Sequence, residues 1–514
     1  MKELSRRKFL VNAGQGIVAT TMIPAFLQND VDFALGLKSA DTGLNDYLNR
    51  FGVTEALIRE VLAEGLSRGG DFSEVYFQHR ISNYIGLEDK QVNQAYTNII
   101  YGVGIRVLNG DQTGYSYTEE ITPATLKQAA QTAAAIANSN KKASPVKLSL
   151  YKHSENYPIQ TSWETSNIGI KMPYLNRLND QIFKQDNRII KASAGISNET
   201  SYILIANSEG LITFDYQPLV TIFCSCTAEQ NGKRENNGSN ISKRLGMEFL
   251  TNNMIDRIAK EAVTGTVSLF EAIKPEAGEM EIVLGPGESG ILLHEAMGHG
   301  FEADFNRIKT SIFSDKLNQK VAENFVTIVD NGMNQNYRGA INIDDEGNES
   351  KETVLVENGI LKSYMHDRIS AKHYGVEPTG NGRRDTFRNM PIPRMRNTYM
   401  KNGPHTPEEI IASVKKGIYA EKFTNGQVNI GAGDFTFYIK SGNLIENGKL
   451  GRPIKDVNII GNGPKVLSNI VMVGNDMKNS EGAWTCGKNG QGAPVSMGIP
   501  TVKVSSITVG GINS

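Results

Sequence analysis

Residues 281–304, EIVLGPGESGILLHEAMGHGFEAD, constrain this chain more than any other stretch. Ile282, Val283 and Leu284 form a short apolar run that reads as a strand, Gly285-Pro286-Gly287 as a turn, and the residues from about Glu288 onward as a helix. On that helix His294, Glu295 and His299 spell H-E-x-x-x-H. Two of only seven histidines in the chain therefore sit together, next to a carboxylate.

The spacing resembles the H-E-x-x-H zinc-protease helix with one residue added. At roughly 100° per residue an i, i+4 pair is about 40° apart round a helix, whereas an i, i+5 pair is about 140° apart. Both imidazoles reach one ion only if the helix is locally widened. Gly298, just before the second histidine, is where such a bulge costs least, since it has no side chain to clash. Neutral imidazoles bind a borderline-soft divalent ion, an open coordination position holds water, and a neighbouring carboxylate can take that water's proton. The plain alternative is a core helix with two satisfied histidines. Against it, Leu292, Leu293, Met297 and Phe301 already supply an apolar face, and an ionised glutamate on a buried helix is expensive without a cation or donor nearby.

Three blocks carry a resemblance: HEAMGHGFEADFN at 294–306, GNGRRDTFRNMPIPRMRNTYM at 380–400, and TCGKNGQGAPVSMGIPTVKVSSITVGG at 485–511. They resemble the signature blocks of the TldD/PmbA (modulator of DNA gyrase) metalloproteases, and more narrowly the TldD-type subunit, because the PmbA-type (TldE) subunit lacks the metal-binding helix. The resemblance runs from about Leu44 to the C-terminus. It implies a zinc peptidase in which His294, His299 and Cys486 hold the metal and Glu295 is the base. It also implies an unfolded or small peptide as substrate, bound as an added strand beside a sheet, and a dimer: either a homodimer or a pairing with a PmbA/TldE-like subunit. A thiolate is chemically suited to this role, since zinc accepts Cys and His together and leaves a fourth position for water. Glu302 and Asp304 are candidates to steady a ligating histidine, and Glu302 is a less favoured alternative to Cys486 as ligand.

A chain of 514 residues is too long for one ordinary core, so two or more domains are expected. A hydrophobic content of 39%, a charged content of 21% and a net charge of −1 fit a soluble enzyme and give no reason to expect nucleic acid or a membrane surface as partner. Three cysteines cannot form a disulfide framework; Cys224 and Cys226, two apart on an expected strand, share one face and suit a core. Residues 1–40 are expected to be a twin-arginine export segment: Ser5-Arg6-Arg7-Lys8-Phe9-Leu10 precedes a moderately apolar stretch too short and interrupted to span a membrane convincingly. The expected location is the periplasm, with the leader either removed or kept as an uncleaved anchor.

The expected fold class is α+β. An N-terminal α+β domain is expected over 41–270, with helices within 44–67 and near 123–138, 174–186 and 252–264, and strands through 72–107 and 188–230. Asn109-Gly110 and Ser208-Glu209-Gly210 serve as its turns. Polar residues 271–280 read as a linker. The C-terminal domain, 278–514, is expected to be a mostly antiparallel, barrel-like sheet carrying the H-E-x-x-x-H helix. Its turns are placed at Asn358-Gly359, Asn425-Gly426, Asn447-Gly448 and Asn462-Gly463, and Thr406-Pro407-Glu408-Glu409 caps a helix of about 13 residues. Arg383, Arg384, Arg388, Arg394 and Arg396 read either as a solvated loop or as guanidiniums near the metal, Arg394 among them, that hold a peptide carboxylate or an oxyanion. They do not read as a nucleic-acid patch, because interleaved aromatics are missing. The competing reading from another class is a non-catalytic peptide-binding or regulatory subunit with a structural metal. Glu295 argues against it, since a purely structural site has no use for a carboxylate beside its ligands.

Overall fold

The computed structural model of the chain describes residues 43–139 and 143–511; the twin-arginine segment lies outside the described residues. Helices α1 (Leu44–Phe51) and α2 (Glu55–Gly65) divide the 44–67 stretch at Gly52, whose left-handed backbone (φ 64°) stops α1, while the Thr54 side chain accepts from Leu57 N to start α2. The chain then runs through β1 (Phe72–Glu88), β2 (Gln91–Asn109), β3 (Gln112–Thr118) and α3 (Pro123–Ala134). After these come α4 (Ile168–Gln185), β4 (Ile189–Asn207), β5 (Leu211–Gln230), β6 (Lys233–Lys243) and α5 (Asn252–Ser268). The order in the sheet is β3-β2-β1-β4-β5-β6, all antiparallel, with the two-residue strand Ser149–Leu150 added in parallel beside β5.

Strand periodicity decides which face meets what. Val75, Phe77, Ile85 and Leu87 of β1 share one face, packed at one end under α1, α2 and α3 and at the other under α4 and α5. Cys224 and Cys226 lie in this second core, both buried. Tyr76, Ile203 and Ile205 point the other way and pack on Ile343 and Phe387 of the C-terminal half. The sheet is therefore a wall with helices behind it and the metal-helix half in front.

In that half five strands close on themselves: β7 (Gly278–Leu284), β8 (Lys416–Val428), β9 (Asp434–Glu446), β10 (Val457–Asn462) and β11 (Val502–Gly511). β8 pairs with β7 in parallel, Ile418 opposite Ile282, and with β9 antiparallel; β9 pairs with β10, β10 with β11, and β11 returns to β7. The interior is filled by Ile282, Leu284, Ile418, Phe437, Ile459 and Val504, among others. The mixed α+β class and the barrel-like C-terminal half are as the sequence predicts.

Three local expectations need correction. The helix capped by Thr406 is six residues, Pro407–Ala412, because the chain is drawn into β8, where Gly417 lies so close to the β7 backbone that a Cβ would come within 2.5 Å of Glu281 O. Asn425-Gly426 is no turn but part of β8, opposite Tyr438 and Phe437 of β9. Asn462-Gly463 ends β10 and leads into the helix Gly463–Ser468 rather than a hairpin.

Candidate metal centre

The strand and turn at 278–287 deliver the chain into a helix that changes pitch. Ile291–Leu293 is α-helical, His294–Gly298 is a π turn, and His299–Phe301 is 3-10. The N–H of His299 donates to His294 O, an i→i+5 bond, so the extra residue between the histidines is absorbed by one wide turn and both rings come to one side. The ring centroids are 5.1 Å apart with planes at 84°. Gly298 completes the turn, and a Cβ there would lie 2.2 Å from Met395 Sδ. Leu292, Leu293, Met297 and Phe301 anchor the helix in the core, as their spacing predicts.

Cys486 arrives from 187 residues away on the hairpin Thr485–Lys488/Gln491–Pro494. Its Sγ is 3.4 Å from His299 Nε2, and ligand atoms of His294, His299 and Cys486 all lie within 4.8 Å of one another. Glu295 stands at the edge of this cluster, Oε2 3.9 Å from His299 Nε2, with its side chain 18% exposed where His299 and Cys486 are buried. Its carboxylate therefore lies beside the cluster and is the more exposed of these groups.

Around the three candidate ligands the charges are arranged in order. His299 Nδ1 bonds Glu302 Oε2 at 2.9 Å, which leaves Nε2 turned toward Cys486. Glu302, fully buried, is 3.1 Å from Lys488 Nζ, and Lys488 also reaches Asp304 at 2.7 Å and donates to Pro393 O at 3.0 Å. Burial alone would raise the Glu302 pKa, but Lys488 and His299 hold it down to about 2. Burial works against the charged form of His299 as well, and Glu302 and Cys486 outweigh it, lifting that imidazole well above its usual range. Burial likewise opposes ionisation of Cys486, yet His294 and His299 bring the thiol well below its usual value. Glu295 is pushed up by burial against the pull of both histidines.

These residues suit a divalent ion. Two imidazoles and a thiol primed to ionise are the donor set of a zinc-type site with one position left for water. His294 Nδ1 is buried with no hydrogen-bond partner among the described residues. Glu302 supports a histidine rather than replacing Cys486.

The structure treats the other candidates differently. Asp304 contacts Lys488 and not a histidine, because a new helical turn, Ala303–Arg307, begins directly after Glu302 and swings it outward. Arg394 is fully buried and donates to Cys486 O and, at 3.3 Å, to Gln491 O, so it braces the cysteine hairpin instead of facing a substrate carboxylate. Arg383, Arg384 and Arg396 are also buried: Arg383 donates to Met395 O and Pro494 O, Arg384 pairs with Glu74, and Arg396 with Asp330. Only Arg388 of the five lies at the surface, paired with Glu119. The solvated-loop reading fails because carbonyls and carboxylates from distant segments meet these guanidiniums in the interior. The sequence motifs alone assign Lys488 no role. The available signal was strand alternation, since Cys486 and Lys488 are two apart and share the buried face.

Comparison with known proteins shows the family to which the chain belongs. Models of the PmbA/TldA metallopeptidase match domain 1 at residues 73–137, the central domain at 163–270 and the C-terminal domain at 277–511. The Metalloprotease TldD homolog of Buchnera aphidicola subsp. Schizaphis graminum is 38% identical over 455 residues, covering 86% of this chain and 93% of that protein. The homolog from Haemophilus influenzae is also 38% identical, covering 87% and 94%. The Zinc metalloprotease TldD homolog of Saccharolobus solfataricus is 37% identical over 246 residues, 48% of this chain and 54% of that protein. Among solved structures, TldE from Thermococcus kodakarensis superposes with a TM-score of 0.69 at 19% identity, covering 88% of this chain and all of that one, which shows a shared fold. With the family models spanning most of the chain and relatives of this identity along nearly their whole length, the chain belongs to the TldD/PmbA metalloproteases, as a TldD-type subunit.

Proposed function

We propose that this metalloprotease is a zinc-dependent peptidase that hydrolyses small or unfolded peptides at the His294/His299/Cys486 site. The observation that carries the reading is the meeting of three ligand atoms within 4.8 Å, with Glu295 beside them. A zinc ion held by His294, His299 and Cys486 would polarise a peptide carbonyl and acidify water. The protein's own contribution is then proton handling: Glu295 accepts the proton of the attacking water and delivers it to the leaving nitrogen. The carboxylate acts by proton transfer, so no acyl-enzyme forms. The products are two shorter peptides.

The substrate's path is supported by a cleft of about 630 Å³ lined by Gly238–Ile241 of β6, Glu421–Thr424 of β8, Pro286–Glu288 and Trp484. β6 is an edge strand, and Trp484 lies two residues from Cys486, so an extended peptide added beside β6 would run toward the centre. As a TldD-type subunit the protein is proposed to act as a dimer, either with itself or with a PmbA/TldE-like subunit. The Ser5–Leu10 pattern supports export by the twin-arginine route to the periplasm, with the leader removed or retained as an anchor. Among the described residues no helix is long and apolar enough to cross a membrane.

The test is metal analysis of the purified protein together with cleavage of unstructured peptides by wild type, Glu295→Gln and Cys486→Ser, alone and with any PmbA-like neighbour. Unchanged cleavage by Glu295→Gln removes the proposed base, and stoichiometric zinc retained by Cys486→Ser removes the thiolate. Replacing Arg6 and Arg7 by Lys and finding the protein still exported would reject the twin-arginine route.

A further inference from the structure

Cys486 and Lys488 leave the same face of one strand, and they do so toward different parts of the centre. The thiol goes to the ligand cluster. The ammonium, only 2% exposed, goes beneath it to Glu302, 3.1 Å away, and Glu302 in turn holds His299 Nδ1 at 2.9 Å. We infer that Lys488 is a positioning residue that ties two metal ligands together: through Glu302 it sets the orientation of His299, and through its own strand it sets the register of Cys486.

A buried carboxylate needs a partner of opposite charge or donors for its oxygens. Glu302, with no exposure, has Lys488 Nζ 3.1 Å from its Oε2. The same oxygen meets His299 Nδ1 at 2.9 Å, so the lysine fixes the atom against which the imidazole is oriented. Nδ1–H then points at Glu302 and Nε2 is presented to the ion, the arrangement in which a carboxylate orients a ligating imidazole. Oε1 of Glu302 has no hydrogen-bond partner among the described residues, so the carboxylate's orientation depends on Oε2, which both His299 and Lys488 contact.

Lys488 itself is held in place. Pro393 O accepts from Nζ at 3.0 Å, Asp304 Oδ1 lies at 2.7 Å, and the ammonium sits 4.3 Å from the centre of the Phe305 ring. Between Pro393 and Met395, Arg394 grips the carbonyl of Cys486. The lysine and the thiol are thus clamped to the same short segment from opposite ends of a two-residue step. A displacement of Lys488 would be passed to both ligands at once.

This rests on the metal centre proposed above, and the experiment separates the two. Zinc affinity of the metal-free protein is measured by competition with a chromophoric chelator for wild type, Lys488→Met, Glu302→Gln and the double variant, and thermal unfolding of each metal-free form is recorded alongside. Tight zinc binding by wild type is the arm that tests the centre itself. Lys488→Met is expected to weaken zinc binding roughly 10–100-fold, and the double variant to be no weaker than Glu302→Gln alone. In the cleavage assay the lysine variant should lose kcat with little change in KM. Losses that multiply in the double variant, or zinc affinity unchanged in Lys488→Met, overturn the role. Should Lys488→Met fail to fold, Asp304→Asn serves, because it leaves the lysine on Glu302. Zinc affinity close to wild type is expected there, and a loss as large as that of Glu302→Gln overturns the route through Glu302.

Discussion

Of the buried charge clusters among the described residues, those around Arg106 and His299 are built to opposite ends. Arg106 of β2 donates to Glu74 at 2.7 Å and to Glu346 at 2.6 Å, while Arg384 takes the other oxygen of Glu74 at 2.9 Å; every one of these side chains is at most 2% exposed. Both oxygens of Glu74 are used, Arg106 is shared between two carboxylates, and the cluster joins the N-terminal sheet to the C-terminal half, although Arg106 Nε and Nη1 have no hydrogen-bond partner among the described residues. Around His299 the groups are of another kind, two imidazoles and a thiol that converge with a carboxylate beside them. Glu302 and Lys488 close one side, His294 Nδ1 lacks a partner among the described residues, and the Glu295 side chain is 18% exposed. Guanidiniums and carboxylates that meet one another hold two segments together, whereas imidazoles, a thiol and a carboxylate brought to one point are groups that can ligate and exchange protons. The five arginines of 383–396 show why the distinction cannot be drawn from composition: the same residue type serves the structural cluster at Arg384 and braces the metal hairpin at Arg394.

Mutations should pull the two clusters apart. The largest effect is expected from Glu295→Gln, which should lower kcat by about 10²–10⁴ while zinc content and unfolding temperature stay near wild type; peptide cleavage and calorimetry check this. Arg106→Met should do the reverse. Leaving Glu74 and Glu346 buried with their shared partner gone should cost about 3–5 kcal/mol in urea unfolding, with zinc affinity of the folded fraction unchanged. If Arg106→Met abolishes zinc binding in protein that is still folded, the clusters are not separate.

Acid should next weaken the metal cluster. The Glu302 pKa is held at about 2 against an ordinary 4.5. Its contribution is therefore fully present above about pH 4.5 and is lost as pH falls toward 2, by roughly 3 kcal/mol at most. Metal-free protein unfolded over that range should show this loss, and Glu302→Gln should flatten it. The smallest effect is expected from Gly298→Ala, where the new methyl crowds Met395 Sδ, a flexible thioether that can move aside at about 1–3 kcal/mol. Zinc affinity should fall with it, and Met395→Ala in the same chain should restore part of the loss.

Much of the site could be read before folding because its information is local. His294, Glu295, Gly298 and His299 lie on one turn, and the i, i+5 spacing by itself required the wide turn that the backbone adopts. The α+β character and several turns followed from residue patterns in the same way, as at Asn109-Gly110 between β2 and β3 and Asn447-Gly448 after β9. Cys486 was reachable only through resemblance, since nothing in its own neighbourhood announces a ligand.

Tertiary structure decided what depends on partners distant in sequence. It turned Asn425-Gly426 from an expected turn into strand, because β9 was there to pair with it, and it shortened the helix after Thr406 because β7 claimed the following residues. It also buried Arg383, Arg384, Arg394 and Arg396, which look like a surface loop until the carbonyls and carboxylates that meet them are in place. Lys488 belongs with these. Spacing, polarity and turn chemistry are properties of a segment and survive in the unfolded chain, whereas the partner of a buried charge is chosen only when two remote segments exclude water together.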